Sequence, residues 1–439
     1  MAHTDKNTEP ENTTHLVWRE ISRRSRDMEK FDVIVIGAGI MGSCTAYKVA
    51  KRGHTVLLLE QYDFLHHCGS SHGQSRTIRL TYPEECYVGM AVESSRLWDE
   101  AEEEVGYRVV TKTAQFDFGM ADNRSLQLSI DNCLANSIPV RVVGKSDVGK
   151  EFSGVFTLPE GWIGGVTERG GVINPTKAVA MFQSLASRHG AVLKDRVKVT
   201  DITKVDGGVV RVSTVSGLTF HGKKCVVTAG AWTNKLMESI TSSPCIFLPI
   251  EPLHTEVCYW KIKPPYTNLF TPESGFPTFA SYGNPYIYGT PSIEYPGLVK
   301  ISLNSGELCD PERRSWQVDM ELLEKKVKPW IKTVFPNYID IDAGPVITYT
   351  CMYSMTPDAD YVIDYVGGDE FGEDLVVVGG FSGHGFKMGP LVGSIVAGMV
   401  LDDHTGNDVD LSHFRISRFM DDPRGNLKDY EDFVSLQKQ

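Results

Sequence analysis

The 439-residue chain lacks three features that would assign it to large classes of protein. Positive charge is not in excess: the formal net charge is −12, whereas phosphate backbones bind basic surfaces, so nucleic acid is not expected as a partner. No apolar run reaches the roughly 18–20 residues of a membrane helix, so no membrane span is expected. The nine cysteines include no short C-x-x-C pair, which argues against a zinc site and a secreted disulfide framework and indicates a reducing compartment.

The two ends carry no clear targeting signal. Residues 1–30 are polar and lack the apolar segment of a secretory signal, and their acidic residues argue against a transit peptide. The last residues, LQKQ, are not a peroxisomal address of the Ser-Lys-Leu type. We therefore predict a flexible tail over 1–30, a C-terminal tail over 421–439, and a cytoplasmic or peroxisomal location without a recognisable signal.

Three parts of the chain carry the strand–helix pattern of a parallel sheet. The stretch 31–61 predicts a buried strand, a helix ended by Gly53 and a second strand, which together form a βαβ unit. The pattern returns at 173–228, where Pro175 and Gly190 bound a helix, and again at 375–401. Between 241 and 345 the chain is rich in Pro, Tyr and Thr and predicts short strands of a mixed, largely antiparallel sheet.

These patterns predict an α/β fold of two interleaved domains. We assign 31–110, 165–240 and 346–420 to a Rossmann-type nucleotide-binding domain. Segments 111–164 and 241–345 form an α+β substrate domain on the mixed sheet.

A glycine-rich turn follows the first strand. Gly37, Gly39 and Gly42 have the G-x-G-x-x-G spacing, in which the glycines allow a tight turn, close approach of a pyrophosphate and close helix packing. Glu60 ends the second strand, where a carboxylate accepts from both ribose hydroxyls and repels a 2′-phosphate. The motif predicts FAD or NAD rather than NADP, and it does not separate the first two.

Five longer motifs resemble one family. They are GSSHGQSRTIR (69–79), VVTAGAWTNKL (226–236), YGTPSIEYPGLVK (288–300), CMYSMTPDADYVID (351–364) and GGFSGHGFK (379–387). The chain resembles the FAD-dependent monomeric sarcosine oxidase and L-pipecolate oxidase family, particularly its plant members, over about 31–420. The resemblance implies a glutathione-reductase-like, D-amino-acid-oxidase-like FAD domain, FAD as cofactor and a monomer.

The resemblance also implies cofactor contacts. The late turn with Gly383, His384 and Gly385 would lie beside the flavin ring, where backbone N–H groups favour the charge of the reduced form. Cys351 matches the cysteine that is bonded through sulfur to the flavin, so covalent FAD is expected. Arg76 matches the arginine packed on the flavin face, and His72 matches its active-site neighbour.

The remaining matched residues concern the reaction. Arg79 and Lys387 match the pair that holds a substrate carboxylate, for which Arg offers a bidentate fork. Tyr288 and Tyr353 match aromatic residues of the substrate cavity. Lys300 matches the lysine that assists dioxygen, a role that requires a positive charge. With Arg76 and His72, Lys300 completes the predicted catalytic set, and no metal is expected.

One position departs from the family pattern. Four residues after Lys300 the family usually has a histidine that contacts substrate, and here Asn304 stands there. We predict a flavin-dependent amine oxidase that converts a secondary amino acid, such as sarcosine, pipecolate or a related amine, to an imine and dioxygen to hydrogen peroxide. Alternatives are an amine dehydrogenase with a carrier as acceptor, an oxidase of an alkaloid-type cyclic amine, an NAD-dependent dehydrogenase and a flavoprotein without turnover.

Overall fold

Two β-sheets, joined by the covering helices and long loops, organise the protein. The computed structural model describes residues 30–240, 248–402 and 409–430. Residues 1–29 of the predicted N-terminal tail and 431–439 of the predicted C-terminal tail therefore lie outside the described residues. Residues 421–430 are described and contact the fold, where Lys428 donates to Glu84 and Asp360.

Nineteen strands are found in the described residues. They are β1 Lys30–Ile36, β2 Val56–Leu59, β3 Arg76–Ile78, β4 Val110–Met120, β5 Arg141–Gly144, β6 Trp162–Ile173, β7 Val192–Lys194, β8 Val199–Val205, β9 Val209–Thr214, β10 Thr219–Val227, β11 Glu251–Ile262, β12 Thr278–Tyr282, β13 Ile287–Thr290, β14 Leu298–Leu303, β15 Gly306–Leu308, β16 Ile339–Asp340, β17 Ile347–Met355, β18 Val362–Gly367 and β19 Gly372–Gly379.

The same residues contain eleven α-helices and some shorter turns. The helices are α1 Ile40–Lys51, α2 Glu85–Val105, α3 Arg124–Ala135, α4 Val148–Glu151, α5 Pro175–Arg188, α6 Thr233–Glu238, α7 Met320–Leu322, α8 Lys328–Val334, α9 Gly368–Phe371, α10 Gly389–Val400 and α11 Arg418–Asp421. A π-helical turn at Leu323–Val327 joins α7 to α8. The 3₁₀ turns are Gly230–Trp232, Tyr266–Phe270, Pro272–Ser274, Phe386–Met388 and Leu411–Phe414.

The first sheet is doubly wound. Its strands run in the order β18-β19-β10-β1-β2-β7, with β8 and β9 added beside β10. The pairs β19–β10, β10–β1, β1–β2 and β2–β7 are parallel, as the strand–helix pattern predicts. Burial of both faces of β1 and β2 explains their continuous apolar runs. The predicted nucleotide-binding sheet is therefore confirmed.

The second sheet is mixed and nearly all antiparallel. Its main order is β15-β11-β14-β13-β12-β4-β6-β3, and only β12 and β4 pair in parallel. Odd and even residues of β14 separate cleanly. Val299, Ile301 and Leu303 enter an aromatic-rich core that includes α8, whereas Lys300 and Ser302 face the other side. We call that other side the polar face; it positions the candidate site.

The predicted segment boundaries and the sheets do not coincide everywhere. Strands β3, β17 and most of β6 lie in segments predicted for the nucleotide-binding domain, yet all three pair within the second sheet. The chain thus changes sheet inside these segments, and the domain boundaries themselves stay a prediction.

Candidate functional site

A cavity of about 370 Å³ runs from the carboxyl ends of the parallel strands to the second sheet. Both glycine turns contribute to its wall, together with the 69–71 turn, Glu60 and Cys351. Two bends that are about 340 residues apart in sequence therefore meet at one cavity. They are held there by close packing of α1 on α10, where a Cβ on Gly393 would lie 2.6 Å from Cys44 Cβ.

The first turn has no room for side chains. Gly37 has φ +102°, and a Cβ there would lie 2.5 Å from the Thr228 carbonyl oxygen. A Cβ on Gly39 would lie 2.9 Å from Ser71 Oγ. Within the described residues the N–H of Gly39 donates to no protein acceptor, so a small donor-lined cradle opens at the start of α1. This cradle suits a pyrophosphate.

Replacing Gly42 with Ala is expected to abolish cofactor retention. A Cβ at this position would lie 1.9 Å from the Gly37 carbonyl oxygen and 2.6 Å from Thr228 Oγ1, so α1 must move away from β1. The purified variant should lose its flavin absorbance and unfold at lower urea concentration than the parent. Gly89→Ala is the control, because Gly89 lies within α2 with open space around it; the change should be neutral or stabilise by about 0.5–1 kcal/mol.

The position of Glu60 in the cavity wall is compatible with the predicted contact between its carboxylate and the ribose hydroxyls. Its side chain is buried at the end of β2, and its Oε2 accepts from Ala38 N at 2.9 Å. Oε1 accepts from Tyr62 N at 3.0 Å and lies 3.4 Å from His66 Nε2. The carboxylate is thus fixed beside the glycine turn and lines the cavity.

The second turn also places backbone beside the cavity. Gly383 has φ +79°, and a Cβ there would lie 2.8 Å from the Tyr353 ring. A Cβ on Gly385 would meet the Phe381 ring at 2.4 Å. Among the described residues, the N–H groups of both glycines lack a protein acceptor, as expected for donors reserved for a ligand. These donors and the first cradle fit the flavin ring and the pyrophosphate of an FAD molecule.

His384 of this turn differs from its glycine neighbours. Its Nδ1 lies 2.8 Å from Tyr361 Oη, and its Nε2 lies 3.0 Å from the Ala359 carbonyl oxygen. Burial, and next the charge of Lys387, lower the pKa of His384 well below its usual range. Both ring nitrogens are therefore used within the protein, which leaves the backbone of His384 as the part that can face a cofactor.

A smaller cavity of about 110 Å³ opens from the first over the polar face. The two share Arg76, Cys351, Tyr353, Gly383 and Phe386. The smaller one is also lined by predicted substrate or catalytic residues, namely Arg79, Tyr288, Lys300, Asn304 and Lys387. Its size suits a small amino acid.

Two cations meet in the smaller cavity. Lys387 Nζ is buried and donates to Tyr82 Oη and to the His384 carbonyl oxygen, both at 2.8 Å. Arg79 donates to the Thr81 carbonyl oxygen, and its guanidinium lies 4.6 Å from the Tyr82 ring centroid. Neither side chain takes part in an ion pair with another described residue. Burial, and then the charge of Arg79, lower the pKa of Lys387 well below its usual value, as expected for a buried cation whose charge no bound anion balances.

Lys300 is a third buried cation, 1% exposed, on β14. Its Nζ lies 3.3 Å from the Ser75 carbonyl oxygen and 5.1 Å from the Tyr288 ring centroid. Burial, and then repulsion by Arg76, lower the pKa of Lys300 to about 7. An ammonium with this pKa can both carry charge and exchange a proton near neutral pH.

Arg76 and Cys351 are in contact. Arg76 Nη2 lies 3.3 Å from Cys351 Sγ and donates to the carbonyl oxygens of Ser70 and His72. The His72 ring lines neither cavity; it lies 6.0 Å from the Tyr349 ring, and burial lowers its pKa to about 3. Of the predicted catalytic residues, Arg76 and Lys300 line the smaller cavity and the His72 side chain does not. His72 contacts Arg76 through its backbone carbonyl oxygen, which accepts from the guanidinium.

Tyr353 and Asn304 are paired. Tyr353 Oη donates to Asn304 Oδ1 at 3.0 Å, so the amide oxygen of Asn304 is occupied. Its amide nitrogen is the group left to donate into the cavity. A substrate atom near Asn304 is thus expected to be a hydrogen-bond acceptor.

Sequence reasoning missed Arg314. This buried guanidinium donates to the carbonyl oxygens of Cys351 and His67 at 3.3 and 3.1 Å, and so ties β17 to the turn before His72. No motif surrounds it, and no local pattern distinguishes it from a surface arginine. Tyr82, which supports Lys387, was missed for the same reason.

The described residues contain neither a cluster of metal ligands nor a helix suited to a bilayer. Among the described residues, no three His, Cys, Asp or Glu side chains converge as metal ligands would. No helix in the described ranges combines the length and the apolar character needed to cross a bilayer.

Comparisons with known proteins agree on one family. The family model described as FAD dependent oxidoreductase (DAO) matches residues 32–399. A probable sarcosine oxidase of Arabidopsis thaliana is 54% identical over 93% of this chain and 98% of its own. The peroxisomal sarcosine oxidase of Homo sapiens is 35% identical over 89% and 96%. The solved structure of NikD, an unusual amino acid oxidase essential for nikkomycin biosynthesis, superposes with a TM-score of 0.75 at 25% identity and covers 88% of this chain and 97% of that one.

Proposed function

The chain belongs to the FAD-dependent oxidoreductase family, in its sarcosine-oxidase-like branch, and from this premise we propose how it oxidises a secondary amino acid with dioxygen. The reaction removes two electrons and two protons from a CH–NH unit to give an imine. Dioxygen takes up two electrons and two protons to give hydrogen peroxide. Bound FAD supplies the chemistry that accepts the electron pair and passes it on. Every other task falls to side chains of this protein.

One observation carries the proposal most strongly. Arg79 and Lys387 are two cations that form no direct ion pair with a described residue, in a small cavity that adjoins the glycine-lined one. A carboxylate bound between them would relieve their mutual repulsion and orient the amine relative to the larger cavity. The Asn304 amide nitrogen offers one further donor to the substrate.

The cofactor is expected to be held by the two turns and by Cys351. The cradle at Gly37 and Gly39 would bind the pyrophosphate, Glu60 the ribose, and the N–H groups of Gly383 and Gly385 the flavin end. A thioether at Cys351 Sγ would replace one S–H bond and one C–H bond of the flavin methyl group. Dioxygen is the oxidant for this step and leaves as hydrogen peroxide. Arg76 Nη2, 3.3 Å from Sγ, would help to hold the sulfur in place at the cavity wall.

Replacing Cys351 with Ser is expected to release the flavin on acid precipitation. The parent should give a yellow pellet, and the variant a colourless pellet with a yellow supernatant, because serine retains the volume but cannot form the thioether. Cys86→Ser is the control, since Cys86 is an exposed thiol on α2 that should leave the pellet yellow. A colourless parent pellet would contradict the covalent link without contradicting bound FAD.

A panel of secondary amines with peroxide detection tests the reaction itself. Sarcosine, pipecolate, proline and N-methyl amino acids with acceptor groups in the side chain should reduce the bound flavin anaerobically, and peroxide should appear in air. Flavin reduction without peroxide would indicate a dehydrogenase with another acceptor. A flavin that no amine reduces would refute the proposal. A monomer and a peroxisomal or cytoplasmic location remain our predictions.

A further inference from the structure

Two buried carboxylates lie close together in the loop that precedes β18. Asp358 and Asp360 are two residues apart, and neither side chain has exposed surface. Two anions in this arrangement repel each other, and they are costly to bury unless cations pair with them. Ala359 between them has φ +59°, a left-handed conformation that alanine disfavours. The conformation of this loop therefore depends on the contacts around it.

The contacts come largely from the segment that follows α10. Four of its side chains place a nitrogen 2.7–2.9 Å from an oxygen of Asp358 or Asp360, and we call them the clasp: His413, Arg418, Asn426 and Lys428. The bond from Arg418 Nε to Asp358 is the shortest of the four. A Cβ on Gly425 would lie 2.2 Å from Asp358 Oδ2, so this part of the chain lies directly against the carboxylate. The cations of the clasp balance both buried anions.

The same loop holds the second glycine turn on both sides of Gly383. Before this glycine, Ser382 Oγ accepts from Thr356 N at 3.1 Å. After it, His384 Nε2 donates to the Ala359 carbonyl oxygen at 3.0 Å. The loop thus fixes the stretch of backbone whose N–H groups lie at the cavities.

The His384 ring connects the loop to the turn in one tautomer. Nε2 carries the hydrogen, because a carbonyl oxygen can only accept. Burial, and next the charge of Lys387, lower the pKa of His384 well below its usual range, so the ring is neutral and Nδ1 accepts. Its nearest donor is Tyr361 Oη, 2.8 Å away. The carbonyl oxygen of His384 accepts from Lys387 Nζ at 2.8 Å, so a shift of His384 also moves the acceptor of that ammonium.

We propose that the clasp and Tyr361 are positioning residues of the flavin site, which hold the 356–360 loop and through it the N–H groups of the second turn and the ammonium of Lys387. Neither Tyr361 nor any residue of the clasp lines either cavity, so their effect on a ligand is transmitted through the turn. The inference rests on the proposed function, which places the flavin ring and the substrate carboxylate at this turn. It extends the site to Asn426 and Lys428, which lie in the segment that the sequence predicted as a tail.

The first test measures ligand binding to the oxidised holoenzyme without turnover. Acetate reports on the cations Arg79 and Lys387. Sulfite, which places negative charge on the flavin ring when it binds, reports on the N–H groups of the turn. Tyr361→Phe keeps the ring and removes the hydroxyl that donates to His384, so the dissociation constants of both probes should rise about five- to tenfold. Titrations followed by flavin absorbance measure them.

Tyr365→Phe is the matched control. Tyr365 lies on β18, and its Oη donates to the Met399 carbonyl oxygen at 3.0 Å, so this variant also loses one hydrogen bond. Both variants should unfold at a similarly lowered urea concentration, whereas only Tyr361→Phe should bind the two probes more weakly. If Tyr361→Phe binds both probes as the parent does, or if Tyr365→Phe weakens them equally, the inference is overturned.

The second test concerns the clasp itself. Lys428→Met removes a cation from Asp360 and should also raise both dissociation constants about five- to tenfold, although Lys428 is remote from the cavity walls. Arg424→Met is the control and should match the parent, since Arg424 is exposed and pairs with Asp422 of its own segment. If Lys428→Met fails to fold, Asn426→Ala removes a neutral contact from the same carboxylate and repeats the test. A folded clasp variant that binds both probes as the parent does overturns the inference.

Arg79→Met separates this inference from the proposed function. If acetate binds the parent and Arg79→Met equally, the proposed carboxylate site is wrong. The sulfite titrations of Tyr361→Phe and of the clasp variant then decide the inference on their own.

Discussion

Replacing Lys300 with Met should slow air reoxidation of the reduced holoenzyme about 100- to 1,000-fold, the effect of removing a preorganised charge from a buried site. Negative charge develops on dioxygen as it accepts electrons, and Lys300 is a buried cation on the polar face that lines the smaller cavity, where it can meet that charge. Anaerobic reduction by an amine should change by less than about threefold, because the carboxylate site at Arg79 and Lys387 is intact. Stopped-flow absorbance of the two half-reactions measures both rates.

Two controls make this result specific. Lys261→Met removes an exposed lysine near the end of the neighbouring strand β11 and should leave both half-reactions unchanged. Lys300→Arg retains charge and should recover part of the oxygen rate. If Lys300→Met reoxidises as fast as the parent, the proposed oxygen role of Lys300 is wrong.

The same substitution should stabilise the fold. The pKa of Lys300 is lowered from 10.5 to about 7, so its protonated form is penalised in the folded state. This penalty corresponds to about 3–5 kcal/mol at neutral pH, which Met, a side chain of similar volume, would remove. A variant that is slower with dioxygen but more resistant to urea would indicate that the lysine is retained for its chemistry.

The glycine turns and the parallel sheet were predictable because their signals are local. Gly37 and Gly42 are required by contacts within the strand–turn–helix unit and with Thr228, which directly follows β10. The apolar runs of β1 and β2 follow from burial of both faces. The family resemblance then supplied the residues of the second turn and Lys300. The family and the fold that the resemblance implied are confirmed.

Strand pairing was not predictable in the same way. Nothing within Ile347–Met355 indicates that β17 pairs with β11, about 95 residues earlier, rather than with β18, which follows it. Antiparallel edges form between distant segments through backbone hydrogen bonds that leave no residue signature. The assignment of 346–420 to one domain stays a prediction; within this segment β17 pairs with the second sheet and brings Cys351 to the cavities.

The direction in which side chains project from the turns could not be predicted from the sequence either. His72 and His384 both adjoin matched functional residues, yet the His72 ring lies outside the two cavities and the His384 ring nitrogens lie within hydrogen-bond distance of Tyr361 and Ala359. Turn residues project according to backbone angles that a single sequence does not specify. Arg314, which supports Cys351, has no local signal at all.

Replacing Arg79 with Met should reduce kcat/KM for carboxylate-bearing amines about 100- to 1,000-fold, since losing one partner of a buried charge pair costs about 3–4 kcal/mol. The loss should fall mainly on KM, because the cation contacts the carboxylate in both the bound substrate and the transition state. Lys387 alone would hold the anion as a point charge, without the fork that fixes its orientation. Steady-state peroxide production over a range of substrate concentrations measures both constants.

The discriminating comparison uses an amine without a carboxylate, such as N-methylbenzylamine. The kcat/KM for this amine should be the same in Arg79→Met as in the parent. The ratio of kcat/KM for the carboxylate-bearing amine to that for N-methylbenzylamine should therefore fall. Arg96→Met is the matched control, because Arg96 lies on the exposed face of α2 and pairs with Glu93 and Glu100, contacts worth about 0–1 kcal/mol. Arg79→Lys should restore only part of the loss. Equal losses for both amines would mean that Arg79 supports the cavity wall through Tyr82 and Thr81, and the carboxylate site would then have to lie elsewhere.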